Sequence, residues 1–206
     1  MQRWQLGLIK AVVWAACLAP LAWLALRIFG LAGSFVADPV AEVLDTFGKT
    51  GLNLLLITLT VTPARQLTGF NLLARFRRLL GLFAFFYLAM HLVAFVALDL
   101  QFAWGLIGGE IVLRPFITIG MIAIVLLIPL AVTSTRGWQR RLGRRWAKLH
   151  KLIYPIAILG VWHFWWQVKA DIREPLIYAG ILGLLLGFRA WRAWQRRQKR
   201  LAASTP

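Results

Sequence analysis

The sequence predicts an all-α fold: a polytopic membrane protein built as a bundle of six transmembrane helices, with both termini on the cytoplasmic side. Three observations predict it. Hydrophobic residues make up 60% of the 206 and charged residues only 15%, at a mean hydropathy of +0.71, so there is too little polar surface to cover a soluble globule of this size. The apolar residues gather into six runs close to the ~20 residues that cross ~30 Å of hydrocarbon. The charges between those runs are sorted by sign.

The first run, residues 8–29, follows Arg3 and Lys10 as a signal peptide would, yet it is long, contains tryptophan and has no convincing small-x-small cleavage site. It therefore reads as a retained span. The other five runs are 43–62, 79–98, 112–133, 150–168 and 175–193. Two have short uncharged stretches, roughly 14 or 15 residues between Lys49 and Arg65 and between Glu174 and Arg189, which is ~22 Å of helix. Lys49, Arg189 and Arg192 are accordingly expected to snorkel to the interface.

Charge placement fixes the count and the orientation. Arg3 and Lys10, the 63–78 loop, the 134–151 segment and the tail from Arg189 onward hold 19 of the 24 basic residues. By the positive-inside rule that face is cytoplasmic. All seven acidic residues (Asp38, Glu42, Asp45, Asp99, Glu110, Asp171 and Glu174) fall on the other side, and five or seven spans would scramble the partition. The net charge of +17 is thus explained by cytoplasmic loops facing lipid headgroups, and no nucleic-acid partner is expected. The loops are short, so residues 1–206 read as a single transmembrane domain without an appended soluble module or phosphate-binding loop. Any source of electrons or energy must be a separate molecule. Cys17 is the single cysteine, which excludes an intramolecular disulfide or a cysteine-based zinc site. No internal repeat stands out.

Three histidines remain, His91, His150 and His163. An ionisable side chain within a span marks a functional site by default. His91 follows Arg78 on the third run and His163 follows Lys148 on the fifth by similar intervals, which puts both ~20 Å from the cytoplasmic boundary on helices that run the same way. Two imidazoles facing each other at one level are the geometry for axial ligands on one haem iron. His150, at the cytoplasmic start of the fifth run, is ~20 Å below His163 and on a straight helix points ~140° away from it. It belongs to a second, inner site, with Pro155 between the two as a candidate kink. At that depth the third run offers Arg77 and Arg78 and no histidine. These arginines suit the carboxylates of a haem or the phosphate of a flavin; the plainer alternative is that they anchor the helix at the interface. Gly81 and Gly160 would let a flat macrocycle approach the backbone, and Trp162, Trp165 and Trp166 read as an interfacial belt.

TSTRGWQRRLGRRWAKLHKLIYP (133–155), TLTVTPARQLTG and RRLLGLFAFFYLAMH (77–91) resemble the ferric reductase-like transmembrane family, and within it the haem-binding membrane subunits of bacterial periplasmic methionine sulfoxide reductase systems. The resemblance covers essentially the whole chain. It implies an inner-membrane, multi-pass subunit that carries haem b, one or two, with His91, His150 and His163 at the positions of the haem histidines. It further implies electrons taken at the cytoplasmic face from reduced flavin, supplied by a separate flavin reductase, or from the quinone pool. They pass to a periplasmic molybdopterin-containing catalytic subunit that reduces methionine sulfoxide in oxidised envelope proteins. Related eukaryotic reductases have two histidines on each ligand helix, whereas the third run here has one. The inner site is therefore left between FMN and a second, differently ligated haem. A stand-alone ferric or quinone reductase is the nearest alternative. A proton-coupled transporter is a more distant one, because the midplane lacks the polar residues it would need.

Overall fold

The computed structural model describes residues 3–33, 38–168 and 171–202, the side chains of 3, 106 and 107 aside. Among the described residues the chain is helical with no β-strand: α1 (Arg3–Ile28), α2 (Pro39–Thr68), α3 (Arg77–Ala94), α4 (Trp104–Leu113), α5 (Pro115–Val132), α6 (Arg136–Leu142), α7 (Arg144–Leu149), α8 (Ile153–Gln167) and α9 (Arg173–Ala202). A 3-10 turn (Asn71–Arg75) leads into α3, a π-turn (Phe95–Asp99) extends it, and a 3-10 turn (His150–Leu152) joins α7 to α8.

Local chemistry sets the ends. The Asp38 side chain accepts from the Ala41 amide at 3.0 Å and Pro39 takes the first helical position, where its missing N–H costs nothing. At the other end Gly69 (φ 74°) adopts the left-handed conformation and returns its N–H to the Arg65 carbonyl. These caps lie outside the apolar run, so α2 exceeds the expected 43–62 at both ends. Conversely, the run expected over 112–133 begins at Pro115, because Arg114 is held extended (φ −118°, ψ 88°) by the proline that follows it. The segment before it forms α4, a helix that apolar periodicity did not reveal.

Among the described residues four helices are long and apolar enough to cross a membrane: Trp4–Ile28, Arg77–Asp99, Pro115–Val132 and Arg173–Ala202. The other two expected spans fall short on physical grounds. α2 carries Asp45, Lys49 and several threonines within its length, and α8 is only 15 residues, ~22 Å of helix.

The core forms where α2 packs on α3 and α5 packs on α8, with Leu52, Leu55, Leu59, Ala84, Tyr87, Leu127, Ile156, Ala157 and Val161 buried between them. The α2–α3 approach is close enough that a Cβ at Gly51 would stand 2.6 Å from Leu88 Cγ. Small residues allow such backbone contact. On the outside, α1 is tied in by the Tyr87 hydroxyl, which donates to the Cys17 carbonyl at 2.6 Å, and by an edge-on contact of Trp14 with Phe83.

α9 is tied in by Arg189, contrary to the expectation that this residue snorkels. Its guanidinium donates to the Leu59 carbonyl at 2.5 Å and the Leu185 carbonyl at 3.1 Å, and lies 5.5 Å over the Tyr154 ring. The reason is Pro63, inside α2: without an N–H it cannot serve the carbonyl four residues earlier, Leu59. Arg189 supplies the absent donor. Lys49 likewise turns to partners, Asp45 at 2.9 Å and Glu174 at 2.7 Å, while Arg192 lies against Phe188 and Trp191.

Candidate functional site

His91 on α3 and His163 on α8 face one another across the bundle, ring centroids 6.2 Å apart and planes at 81°. Each ring is held by the helix opposite its own. His91 Nδ1 lies 2.9 Å from the Leu44 carbonyl of α2, and His163 Nδ1 lies 2.7 Å from the Phe116 carbonyl of α5. A carbonyl only accepts, so both Nδ1 atoms carry the proton and donate it. In the neutral imidazole each Nε2 then keeps its lone pair.

One turn beyond each accepting carbonyl is a glycine. A Cβ at Gly48 would stand 3.1 Å from His91 Nδ1, and one at Gly120 would stand 2.9 Å from His163 Nδ1. Each histidine also lies 47 residues after its acceptor. Carbonyl, glycine and histidine therefore recur at one common interval along the chain, α2–α3 repeating as α5–α8. Sequence reading found no repeat, because three single positions spread over such an interval carry no local pattern. Aligning the chain on its own histidines is the signal that would have found it.

The pair lies between two cavities. One, of about 490 Å³, is bordered by Phe95, Asp99, Arg114, Phe116, Trp166 and Gln167. The other, of about 70 Å³, runs back between α2 and α8 past Gly48, Lys49, Leu55 and Gly160. Trp166 thus reaches the site. Trp162, which stacks on it at 6.0 Å, and Trp165 border a separate outward groove.

His150, Arg77 and Arg78 are also brought together, lining a third cavity of about 310 Å³ with Thr58, Gly81, Ser134, Gln139 and Trp146. Between His150 and His163 the chain passes through the 3-10 turn His150–Leu152, whose tighter winding, ~120° per residue against ~100°, takes up about 60° of the angular misfit expected of a straight helix. Pro155 lies in the first turn of α8, where proline is tolerated. Trp146, anchored by its indole N–H to the Thr133 carbonyl at 2.9 Å, stacks on His150 at 4.0 Å. His150 Nδ1 is 3.2 Å from the Trp146 carbonyl, and Nε2 is buried with no hydrogen-bond partner. The inner and outer cavities share no lining residue. Leu55 and Thr58, Leu88 and Phe85, Ile124 and Leu127, and Ile156 and Ile153 line the two in turn, so each helix separates them by about one turn, ~5.4 Å.

Porphyrin iron has two axial positions, and His91 and His163 offer two free imidazole nitrogens. Two metal–imidazole bonds of ~2.0–2.1 Å, placed end to end with ~1 Å from each bonded nitrogen to its ring centre, span about 6 Å. The observed 6.2 Å fits. Among the described residues no group of three or more His, Cys, Asp or Glu gathers as a metal site. The inner cavity, with one free imidazole nitrogen and two guanidinium groups, fits an anionic planar group.

The model of the ferric reductase like transmembrane component matches residues 47–161, which takes in His91 and His150 and ends two residues before His163. The chain is 53% identical over 201 residues to the protein-methionine-sulfoxide reductase heme-binding subunit MsrQ of Xanthomonas axonopodis pv. citri, covering 96% of this chain and 92% of that one. It is 51% identical over 196 residues to the MsrQ of Rhodospirillum rubrum, covering 95% and 93%. Apolar helices that can cross a bilayer, a histidine pair between them and likeness along nearly the full length agree: the chain is a membrane protein of the ferric reductase-like transmembrane family, similar to its MsrQ members.

Proposed function

We propose that the chain is the haem-binding, electron-transferring membrane subunit of a methionine sulfoxide reductase system. It takes electrons at the cytoplasmic face from a flavin, supplied by a separate reductase, or from quinol. It delivers them to a periplasmic molybdopterin-containing subunit that reduces methionine sulfoxide in envelope proteins. In this reading residues 1–206 form one domain of six spans in the bacterial inner membrane, α2 and α8 included, with both termini cytoplasmic. The distribution of basic residues supports that arrangement.

The observation that carries the proposal is the His91–His163 pair, with both Nδ1–H groups on carbonyls and the rings 6.2 Å apart. In the reading these residues would hold a haem b through their Nε2 atoms. A bound haem supplies a reversible one-electron couple in a water-poor site. The chain's part is to hold the rings, exclude water with Leu52, Leu55 and Ile156, and separate the outer site from the inner by about one helical turn. Arg77, Arg78 and His150 hold the inner cofactor, either FMN through its phosphate or a second haem through its carboxylates and His150 Nε2. No acid–base pair or nucleophile is required, because methionine sulfoxide is reduced on the partner.

A visible spectrum of the detergent-purified protein tests the reading. A reducible low-spin Soret band is expected, lost in His91→Ala and in His163→Ala. A colourless folded protein, expressed with ample haem, ends it. Reconstitution with the periplasmic partner separates it from a stand-alone ferric reductase, which would turn over ferric chelates without that partner.

A further inference from the structure

We infer that Gly48 and Gly120 are the positioning residues of the histidine pair: each leaves the space in which an imidazole lies on the opposing helix, donates Nδ1–H to the carbonyl one turn earlier, and so presents Nε2 to the slot between the helix pairs. Its geometry stands without any bound group; its meaning for electron transfer rests on the haem reading.

The argument begins with the acceptors. In α2 the Leu44 carbonyl already has a helical partner in the amide of Gly48, and the same holds for Phe116 and Gly120 in α5. An imidazole reaches the second lone pair of such a carbonyl only by lying along the helix surface one turn on. Any side chain at that position would occupy the place of the ring. The distances agree. The three atoms nearest a Cβ at Gly48 are all imidazole atoms of His91, with Nδ1 at 3.1 Å and Cε1 at 3.2 Å. Those nearest a Cβ at Gly120 are all imidazole atoms of His163, with Nδ1 at 2.9 Å and Cε1 at 3.0 Å. Carbon atoms pack best at ~3.5–4.0 Å, so the ring must withdraw, least at Gly48 and more at Gly120, and withdrawal lengthens and weakens the hydrogen bond.

Glycine in a helix interior is otherwise unfavourable relative to alanine. Close helix packing explains Gly51, whose Cβ would meet Leu88, but not Gly48 or Gly120, whose nearest neighbours are the rings alone. That the arrangement occurs twice, on different helices at one interval, sets it apart from a chance contact. The Nδ1 hydrogen bond fixes the tautomer and raises the basicity of Nε2 as a ligand. Gly48 and Gly120 therefore act on iron only through the histidines.

With three histidines in the chain, ¹⁵N-histidine labelling of the haem-free protein in detergent resolves each ring. In the parent protein His91 and His163 are expected as Nδ1–H tautomers; an Nε2–H tautomer at either position overturns the inference without any variant being made. Gly48→Ala is expected to shift the His91 resonances alone toward a mixed tautomer, and Gly120→Ala those of His163 alone, the latter more because its contact is tighter. Gly51→Ala, which strikes Leu88 and neither histidine, should lower thermal stability while leaving both tautomers in place. In haem-loaded protein the first two variants should shift the midpoint potential and the low-spin EPR signal, and Gly51→Ala should not. Unchanged tautomers in both alanine variants, or equal changes in Gly51→Ala, would overturn the role. A parent protein that takes up no haem ends the haem reading instead, and the tautomer measurement still decides this one.

Discussion

Replacing Arg189 with methionine should reveal how much of the hold on α9 comes from the proline in α2. The guanidinium donates to the Leu59 carbonyl at 2.5 Å and sits 5.5 Å above Tyr154, and Leu59 is buried at 1% exposure. A hydrogen bond from a charged group contributes ~1.5–3 kcal/mol, and a buried carbonyl left without a donor costs ~1–3 kcal/mol. The cation–π contact adds ~0.5–1 kcal/mol. These overlap, and because Arg189 is only half-buried we expect Arg189→Met to cost about 2–4 kcal/mol. Pro63→Ala restores the amide that normally serves Leu59, so in that background the same arginine substitution should cost about 1–2 kcal/mol less. The four proteins can be compared by SDS titration in mixed micelles, followed by circular dichroism and tryptophan fluorescence. If the two substitutions prove additive within ~0.5 kcal/mol, Arg189 is not serving the carbonyl that Pro63 leaves bare.

Three further outcomes are expected. Tyr87→Phe removes the hydroxyl that reaches the Cys17 carbonyl at 2.6 Å, costing about 0.5–1.5 kcal/mol; hydrogen exchange should rise in α1 and not in α5, and uniform exchange would refute the link. His150→Ala should leave the signal of the outer haem intact while removing bound flavin or part of the haem absorbance, and loss of the whole Soret band would contradict two separate sites. Lys49→Met breaks the pairs with Asp45 and Glu174, both at partly exposed side chains. The cost should be under ~1 kcal/mol and shrink further in high salt, whereas a large, salt-independent loss of stability would refute this reading of the pairs as partly solvated.

The meeting of His91 and His163 was legible in the sequence because arginines and lysines mark the ends of the apolar runs and residues can be counted from them. The same counting brought His150 to the level of Arg77 and Arg78. What holds the rings was not legible. Leu44 and Phe116 contribute main-chain carbonyls, which every residue possesses, and Gly48 and Gly120 contribute only the absence of a side chain. Arg189 was misread because it heads a run of basic residues typical of a helix end, while its partner lies 130 residues away and is exposed by the lack of one amide. The 3-10 turn at His150–Leu152 was invisible for a related reason. Pro155 drew attention as a breaker, yet a proline that begins a helix does not bend it, and nothing in His-Lys-Leu announces a change of winding. α4 escaped because its glycines and apolar residues show neither an amphipathic period nor spanning length.

His91 and His163 belong to different helix pairs, and this has a consequence for the life of the protein in the cell. A macrocycle gripped by both would act as a clasp between the α2–α3 and α5–α8 pairs, which pack on each other largely through apolar side chains. Ligand that binds the assembled form and not the separated one shifts the equilibrium toward assembly in proportion to its supply. Newly made chains in a haem-starved cell would then stay half-closed and open to membrane proteases, so that the amount of protein follows the availability of haem without any dedicated sensor.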